Sequence, residues 1–168
     1  SGARPAGGGR YRRRRMATYL DRILAAHREA AAADQRRVDA LVEECRSARY
    51  NALDYSFVVR AFAALATDTT SPSGFATAHV DRLEFAWGQL ERGVRHTINL
   101  LTAEVGLDNT TLLPSANALV PLVYYLGTRP DRPLCVDERN SLVYWLLLAS
   151  VQSRYSSSAA TVIAQDVS

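Results

Sequence analysis

The apolar residues between positions 80 and 105 are the strongest constraint on what this chain can fold into. They recur at spacings of 3, 4, 3, 4, 4, 3 and 4 residues, as Val80, Leu83, Trp87, Leu90, Val94, Ile98, Leu101 and Val105. This periodicity places them on one face of a helix of about seven turns. Gly106 follows, and glycine readily takes the left-handed conformation that ends helices. The segment therefore predicts a long helix with one apolar face.

The preceding chain shows the same three- and four-residue spacing. Residues 16–50 predict either one long surface helix or a helix pair that is divided near Asp34. Residues 53–66 predict a second helix, which ends at the turn-forming run 67–74. Both segments therefore favour helix over strand.

The C-terminal third predicts three more helical segments. Ser115 or Asn117 can cap a helix that Pro121 kinks or delays and that Gly127 ends. Residues 142–151 are apolar on every side, which predicts a helix at the centre of the core, around Trp145. Three serines, Ser156 to Ser158, can cap a short final helix that runs to Val167.

These patterns predict an all-α fold, a single irregular bundle of about six helices with a disordered basic N-terminal tail. We expect three parts: the Arg/Gly-rich tail over 1–15, the long helix or helix pair over 16–50, and the bundle over 51–168. With an apolar fraction of 48% and 168 residues, the chain is long and apolar enough to bury one core.

Positive charge is concentrated at the start of the chain. Residues 1–15 hold six arginines and no acid, whereas the rest holds 14 arginines against 17 acids. A basic tail can bind phosphates through counterion release, but it can equally be a solvated arm or translated upstream sequence, since the only methionine is Met16. The candidate nucleic-acid contacts, all weak, are Arg10, Arg12, Arg13, Arg14 and Arg15.

The residues needed for most catalytic sites are missing from the sequence. All 20 basic residues are arginine, which excludes a Schiff-base or phosphate-loop lysine. None of the three histidines stands at metal-ligand spacing from another ligand, and the acid pair Asp137 and Glu138 diverges around a helix instead of forming a dyad. We expect no catalytic residue, no cofactor and no metal.

The cysteine and hydropathy patterns indicate a cytoplasmic protein with no contact to a membrane. Cys45 and Cys135 form no CxxC pair and fit neither a disulfide scaffold nor a zinc site. The longest strongly apolar run, Leu142 to Val151, is about half of the roughly 20 residues that cross a bilayer.

Two segments resemble a known family. LLPSANALVPLVYYL, Leu112 to Leu126, and RNSLVYWLLLASVQSRYSSSAATVIAQDV, Arg139 to Val167, are similar to the helical part of the GmrSD-type restriction endonuclease N-terminal domain family. LDYSFVVRAFAAL, from Leu53, and the helix around Trp87 follow the order of that family. The resemblance covers residues 53–168. Its polar positions in this chain are Asn117, Arg154, Tyr155 and Asp166, and a charge pair between Arg154 and Asp166 is expected.

This resemblance implies a bacterial phage-defence setting, in which a nucleotide-hydrolysing domain controls cleavage of modified DNA. The family marks its nucleotide site with an Asp-Gly-Gln-Gln-Arg loop, which this chain lacks, and the His- and Asn-based nuclease motif is missing too. We therefore expect a non-catalytic accessory fragment that packs against a catalytic domain or nuclease subunit, with or without weak DNA contact.

Two alternatives remain from the sequence. MATYLDRILAAHREAAAADQRRVDALVEEC, Met16 to Cys45, resembles the leader helices of bacterial indole-3-glycerol phosphate synthase, which implies a truncated form of that α/β-barrel enzyme. The family's catalytic lysine has no counterpart here. The other alternative is a helical adaptor that binds nucleic acid through residues 1–15.

Overall fold

The computed structural model describes residues 32–67, 80–111, 113, 115–130, 132–151 and 159–167. These residues form six α-helices and contain no β-strand, which confirms the all-α prediction for the described part of the chain. The predicted tail, residues 1–15, lies outside the described residues. The chain divides into two compact units, Ser1–Asp39 and Ala40–Ser168.

Helix α1 covers residues 32–47 and is uninterrupted from residue 32 onwards, so a break near Asp34 could lie only before residue 32, outside the described residues. Leu41 and Cys45, one turn apart, are buried. The helix ends in a Schellman motif, in which the Tyr50 N–H donates to the Cys45 carbonyl and the Arg49 N–H to that of Arg46. Arg49 takes the left-handed conformation, with φ of 70°, where glycine is commoner.

Tyr50 and Asp54 determine how the chain turns into the second helix, α2, Tyr55–Thr67. The Tyr50 side chain is buried, and its hydroxyl donates to the Leu107 carbonyl and lies 3.0 Å from the Thr102 hydroxyl. The Asp54 carboxylate accepts from the Phe57 N–H at 2.9 Å, as an N-cap does. Hydrogen bonds of the Tyr50 and Asp54 side chains thus stabilise the two ends of this turn.

The predicted apolar helix is present as α3, Val80–Leu100, and continues as one π-helical stretch, Leu101–Val105. Trp87, Leu90, Val94 and Leu101 are buried, as the spacing predicts. The Phe62 ring of α2 meets the Trp87 ring edge-on, with centroids 5.6 Å apart. Gly106 has φ of 72° and ends the helix as expected.

The centre of the core is helix α4, Leu119–Thr128. It follows a 3₁₀ turn, Ala116–Ala118, capped by the Ser115 hydroxyl, which accepts from the Asn117 N–H. Pro121 lies in the first turn of α4, where its missing N–H leaves no helical bond unmade, so the helix starts late instead of kinking. Five of its apolar side chains are almost wholly buried: Leu119, Val120, Leu122, Val123 and Leu126.

Two glycines allow α3 and α4 to approach closely. A Cβ on Gly93 would collide with the Val123 carbonyl oxygen, and a Cβ on Gly127 would lie 2.5 Å from the Gln89 carbonyl oxygen. Gly127 was predicted to end its helix, but α4 continues to Thr128. Gly127 is needed instead because the backbone of α3 occupies the space of a side chain.

Helix α5, Val136–Val151, is not the centre of the core, so that prediction is wrong. Leu146 and Ala149 are its only buried residues, and Trp145 is half-buried. On its other side Tyr144, Leu147, Leu148 and Val151 are exposed. The final helix, α6, Ala159–Val167, buries Ile163 against the rest of the unit, while the predicted caps Ser156 to Ser158 lie outside the described residues.

Candidate functional site

The predicted site residues fall in different places. Arg10, Arg12, Arg13, Arg14, Arg15, Arg154 and Tyr155 lie outside the described residues, so the expected pair of Arg154 with Asp166 is not described either. The Asn117 side chain accepts a hydrogen bond from the Arg60 guanidinium of α2. Asp166 is exposed on α6 and lines a cavity of about 220 Å³ together with Trp145 and Tyr125. Asn117 therefore joins α2 to the turn before α4.

Two other predicted features concern metals and membranes. Within the described ranges, no cluster of three or more His, Cys, Asp or Glu side chains is placed to bind a metal ion. No helix in those ranges has both the length and the apolar character needed to span a bilayer. Cys45 is buried and Cys135 exposed, both as free thiols, and burial raises the pKa of Cys45 to about 11.

One polar concavity is an open cleft of about 460 Å³, which we name the arginine cleft. The end of α3 and the π-helical stretch form one wall, and the connection from α4 to α5 forms the other. The polar residues that line it, among those that the structure describes, are Arg129, Arg132, Arg139, Glu104, His96 and Asn99. Leu100, Ala103, Pro133 and Leu134 supply apolar lining. A cleft of this size lies within the range of small-molecule sites.

Glu138 holds two of these arginines in place. Arg132 donates to both of its carboxylate oxygens, at 3.1 and 2.7 Å, and Arg129 approaches it at 3.3 Å. Arg129 also donates to the Arg132 carbonyl at 3.1 Å, and its side chain is only 11% exposed. The two guanidinium groups are therefore fixed side by side.

The Glu138 carboxylate also completes the start of α5. It accepts from the Cys135 backbone N–H at 3.0 Å, which is the reciprocal half of a capping box. This hydrogen bond and the Arg132 guanidinium lower the pKa of Glu138 to about 2. Glu138 thus remains ionised, and the arginines remain paired, well into the acidic range.

Arg139 reaches across the cleft from α5. Its guanidinium donates to the Glu104 carboxylate of the π-helical stretch at 2.7 Å, with both side chains 33% exposed. Among the residues that the structure describes there, with Glu138 included, three arginines and two carboxylates leave one net positive charge. This cluster was not predicted from the sequence, although Cys135 and Glu138 in the run CVDERN stand at the spacing of a capping box.

A second feature is the exposed side of α5. Tyr144, Leu147, Leu148 and Val151 are 65%, 50%, 40% and 83% exposed, and we name them the outer stripe. Their positions i, i+3, i+4 and i+7 lie on one face of a helix over two turns. Asp137, also exposed, continues the same face towards the start of α5. Residues 140–151 include no charged side chain.

Comparison with family models, with curated proteins and with solved structures finds no match to this chain.

Proposed function

We propose that this chain is a non-catalytic helical module of the cytoplasm that binds an amphipathic helix of a partner protein along the outer stripe. The observation that carries the proposal is the exposure of four large apolar side chains at helical spacing on α5. Exposed apolar patches of this kind mark interaction surfaces in soluble proteins, because covering them removes apolar surface from water.

The chemistry of the outer stripe favours a protein helix over a lipid surface. Helices that lie on membranes carry Lys and Arg beside their apolar face, and residues 140–151 carry neither. From Tyr144 to Val151 the stripe extends about 10 Å along the helix axis, which suits two turns of a second helix. The partner therefore presents an uncharged apolar seam.

Asp137 adds a requirement for charge at one end of that seam. Its exposed carboxylate lies two turns before Tyr144, so a partner helix with a lysine or arginine there gains an ion pair at the rim. Among the described residues of α5 the one basic side chain, Arg139, pairs with Glu104, so the α5 helix of a second copy offers no unpaired cation there. Charge complementarity thus favours a different protein.

The resemblance of residues 53–168 to GmrSD-type proteins supports a role for this module in a bacterial defence system. In that setting the partner is the catalytic domain or nuclease subunit of a system that restricts modified DNA, and this chain contributes packing, not chemistry. The lack of lysine and of the family's nucleotide loop in the sequence supports the non-catalytic role.

A synthetic helical peptide tests the docking surface. It carries leucines at i, i+3, i+4 and i+7 and one terminal lysine, and its binding is followed by fluorescence anisotropy. Leu147→Ser should weaken binding roughly tenfold, since a buried leucine contributes about 1.5–3 kcal/mol. Phe85→Ser is the matched control, because Phe85 is also a large apolar side chain, 68% exposed, but belongs to α3 and not to the stripe. It should leave the affinity unchanged.

Three results would contradict the proposal. One is equal affinity of the peptide for the parent chain and for Leu147→Ser. Another is a dimer in sedimentation that Leu147→Ser converts to a monomer, which would make a second copy the occupant. The third is stripe-dependent binding to phosphatidylserine vesicles in place of the peptide.

A further inference from the structure

The arginine cleft is separate from the outer stripe and has no part in the proposed docking. We propose that it binds a small phosphate monoester that carries an apolar or planar group. The cleft is lined by three guanidinium groups, those of Arg129, Arg132 and Arg139, and has apolar residues beside them.

The guanidinium groups are already oriented for an anion. Arg129 is nearly buried and is held by Glu138 and by the Arg132 carbonyl, so little side-chain freedom is lost when it binds. Arg132 reaches the cleft from the connection between α4 and α5, and Arg139 from α5 itself, at 56% and 33% side-chain exposure. Arginine presents a planar fork of donors that matches oxyanion geometry.

The number of arginines favours phosphate over carboxylate. A phosphate monoester has three terminal oxygens and a charge of about −1.5 to −2 near neutral pH, so it can accept hydrogen bonds from three guanidinium groups at once. A carboxylate has two oxygens and one charge. The ligand competes with Glu138 and Glu104 for these donors, and the net positive charge of the cleft favours the dianion.

The apolar lining determines the rest of the ligand. Leu100, Ala103, Pro133 and Leu134 provide a surface for a ring or short hydrocarbon next to the charged groups. A cleft of about 460 Å³ accommodates such a molecule. A nucleic-acid backbone is less suited, because phosphates along a strand are met by extended basic surfaces rather than by one concave site.

Phenyl phosphate is the probe, with inorganic phosphate and phenol as its two halves. Isothermal titration of the full chain should show phenyl phosphate binding at least roughly tenfold more tightly than either half. Arg132→Ala should weaken binding about tenfold, the effect of losing a hydrogen bond to a charged group. Arg46→Ala is the matched control, because Arg46 also pairs with a glutamate, Glu43 at 2.7 Å, but on α1.

A second variant, Glu104→Gln, tests the proposal by an expected gain in affinity, which damage to the fold cannot produce. It removes the acid that competes for Arg139, so phenyl phosphate should bind several-fold more tightly, whereas a damaged fold would bind less tightly. Phenyl phosphate affinity equal to that of inorganic phosphate, or no change in Arg132→Ala, would overturn the proposal. So would displacement of phenyl phosphate by single-stranded DNA at lower phosphate concentration, since the site would then bind a nucleic-acid backbone.

Discussion

Gly93→Ala should lower the free energy of unfolding by about 2–3 kcal/mol, a large share of the roughly 5–15 kcal/mol that stabilises a domain. The added methyl group would collide with the Val123 carbonyl oxygen, which belongs to the α4 backbone and cannot rotate away as a side chain does. Either α3 and α4 separate, which loosens the core, or the helical hydrogen bonds distort. Urea denaturation followed by circular dichroism measures the loss.

Gly88→Ala is the matched control for this prediction. Gly88 lies on the same helix, and a Cβ there would meet no atom within 4 Å. Alanine restricts the unfolded chain and favours helix, so this variant should gain about 0.5–1 kcal/mol. If Gly93→Ala matched the parent chain or gained stability as Gly88→Ala does, the close contact of α3 with α4 would be wrong.

Leu126→Ala should cost about 2–5 kcal/mol of unfolding free energy, the usual range for a buried leucine that leaves a cavity. Leu126 is 2% exposed in α4, where neighbouring helices surround it. Leu148→Ala makes the same chemical change on α5, where the side chain is 40% exposed, and should cost less than about 1 kcal/mol. Thermal or urea unfolding of the two variants measures the contrast. Equal losses would indicate that Leu148 is buried as deeply as Leu126, which would contradict the exposed side of α5.

The sequence predicts the helices well where the apolar residues cover one face. The spacing from Val80 to Val105 leaves one orientation in which a helix can bury its apolar side, and Gly106 ends it as glycine can. The π-helical stretch at Leu101–Val105 could not be predicted from that spacing. Leu101 and Val105 are four residues apart, and this separation keeps two side chains on one face in a π-helix as well as in an α-helix.

The central position of α4 could not be predicted in the same way. Residues 119–128 and 142–151 are both strongly apolar, and apolar character shows only that a surface is covered by something. The apolar surface of α4 is covered by other helices of this chain, and Gly93 and Gly127 allow α3 to pack closely against it. In α5 one side is left exposed, which the sequence alone attributed to the core.

The charged residues of the arginine cleft could not be predicted from the sequence either, because most of them meet only in the folded chain. Glu104 and Arg139 pair across 35 positions, and no local pattern relates them. The hydrogen bond of Glu138 to the Cys135 N–H is local and could have been predicted from the three-residue spacing, although cysteine replaces the usual serine or threonine. The polar side chains that matter most here thus meet through tertiary packing.

Helix α5 has one buried and one exposed side, and thiol labelling tests this arrangement most directly. In a Cys135→Ser background, cysteine is placed at Leu146, which is 1% exposed, or at Leu147, which is 50% exposed. Cys45 is buried and its raised pKa keeps its thiol protonated, so it contributes little signal. Leu147→Cys should react with Ellman's reagent nearly as fast as an unfolded thiol, and Leu146→Cys only as fast as the protein unfolds. Equal protection of both positions would contradict the exposed stripe and the docking function proposed for it.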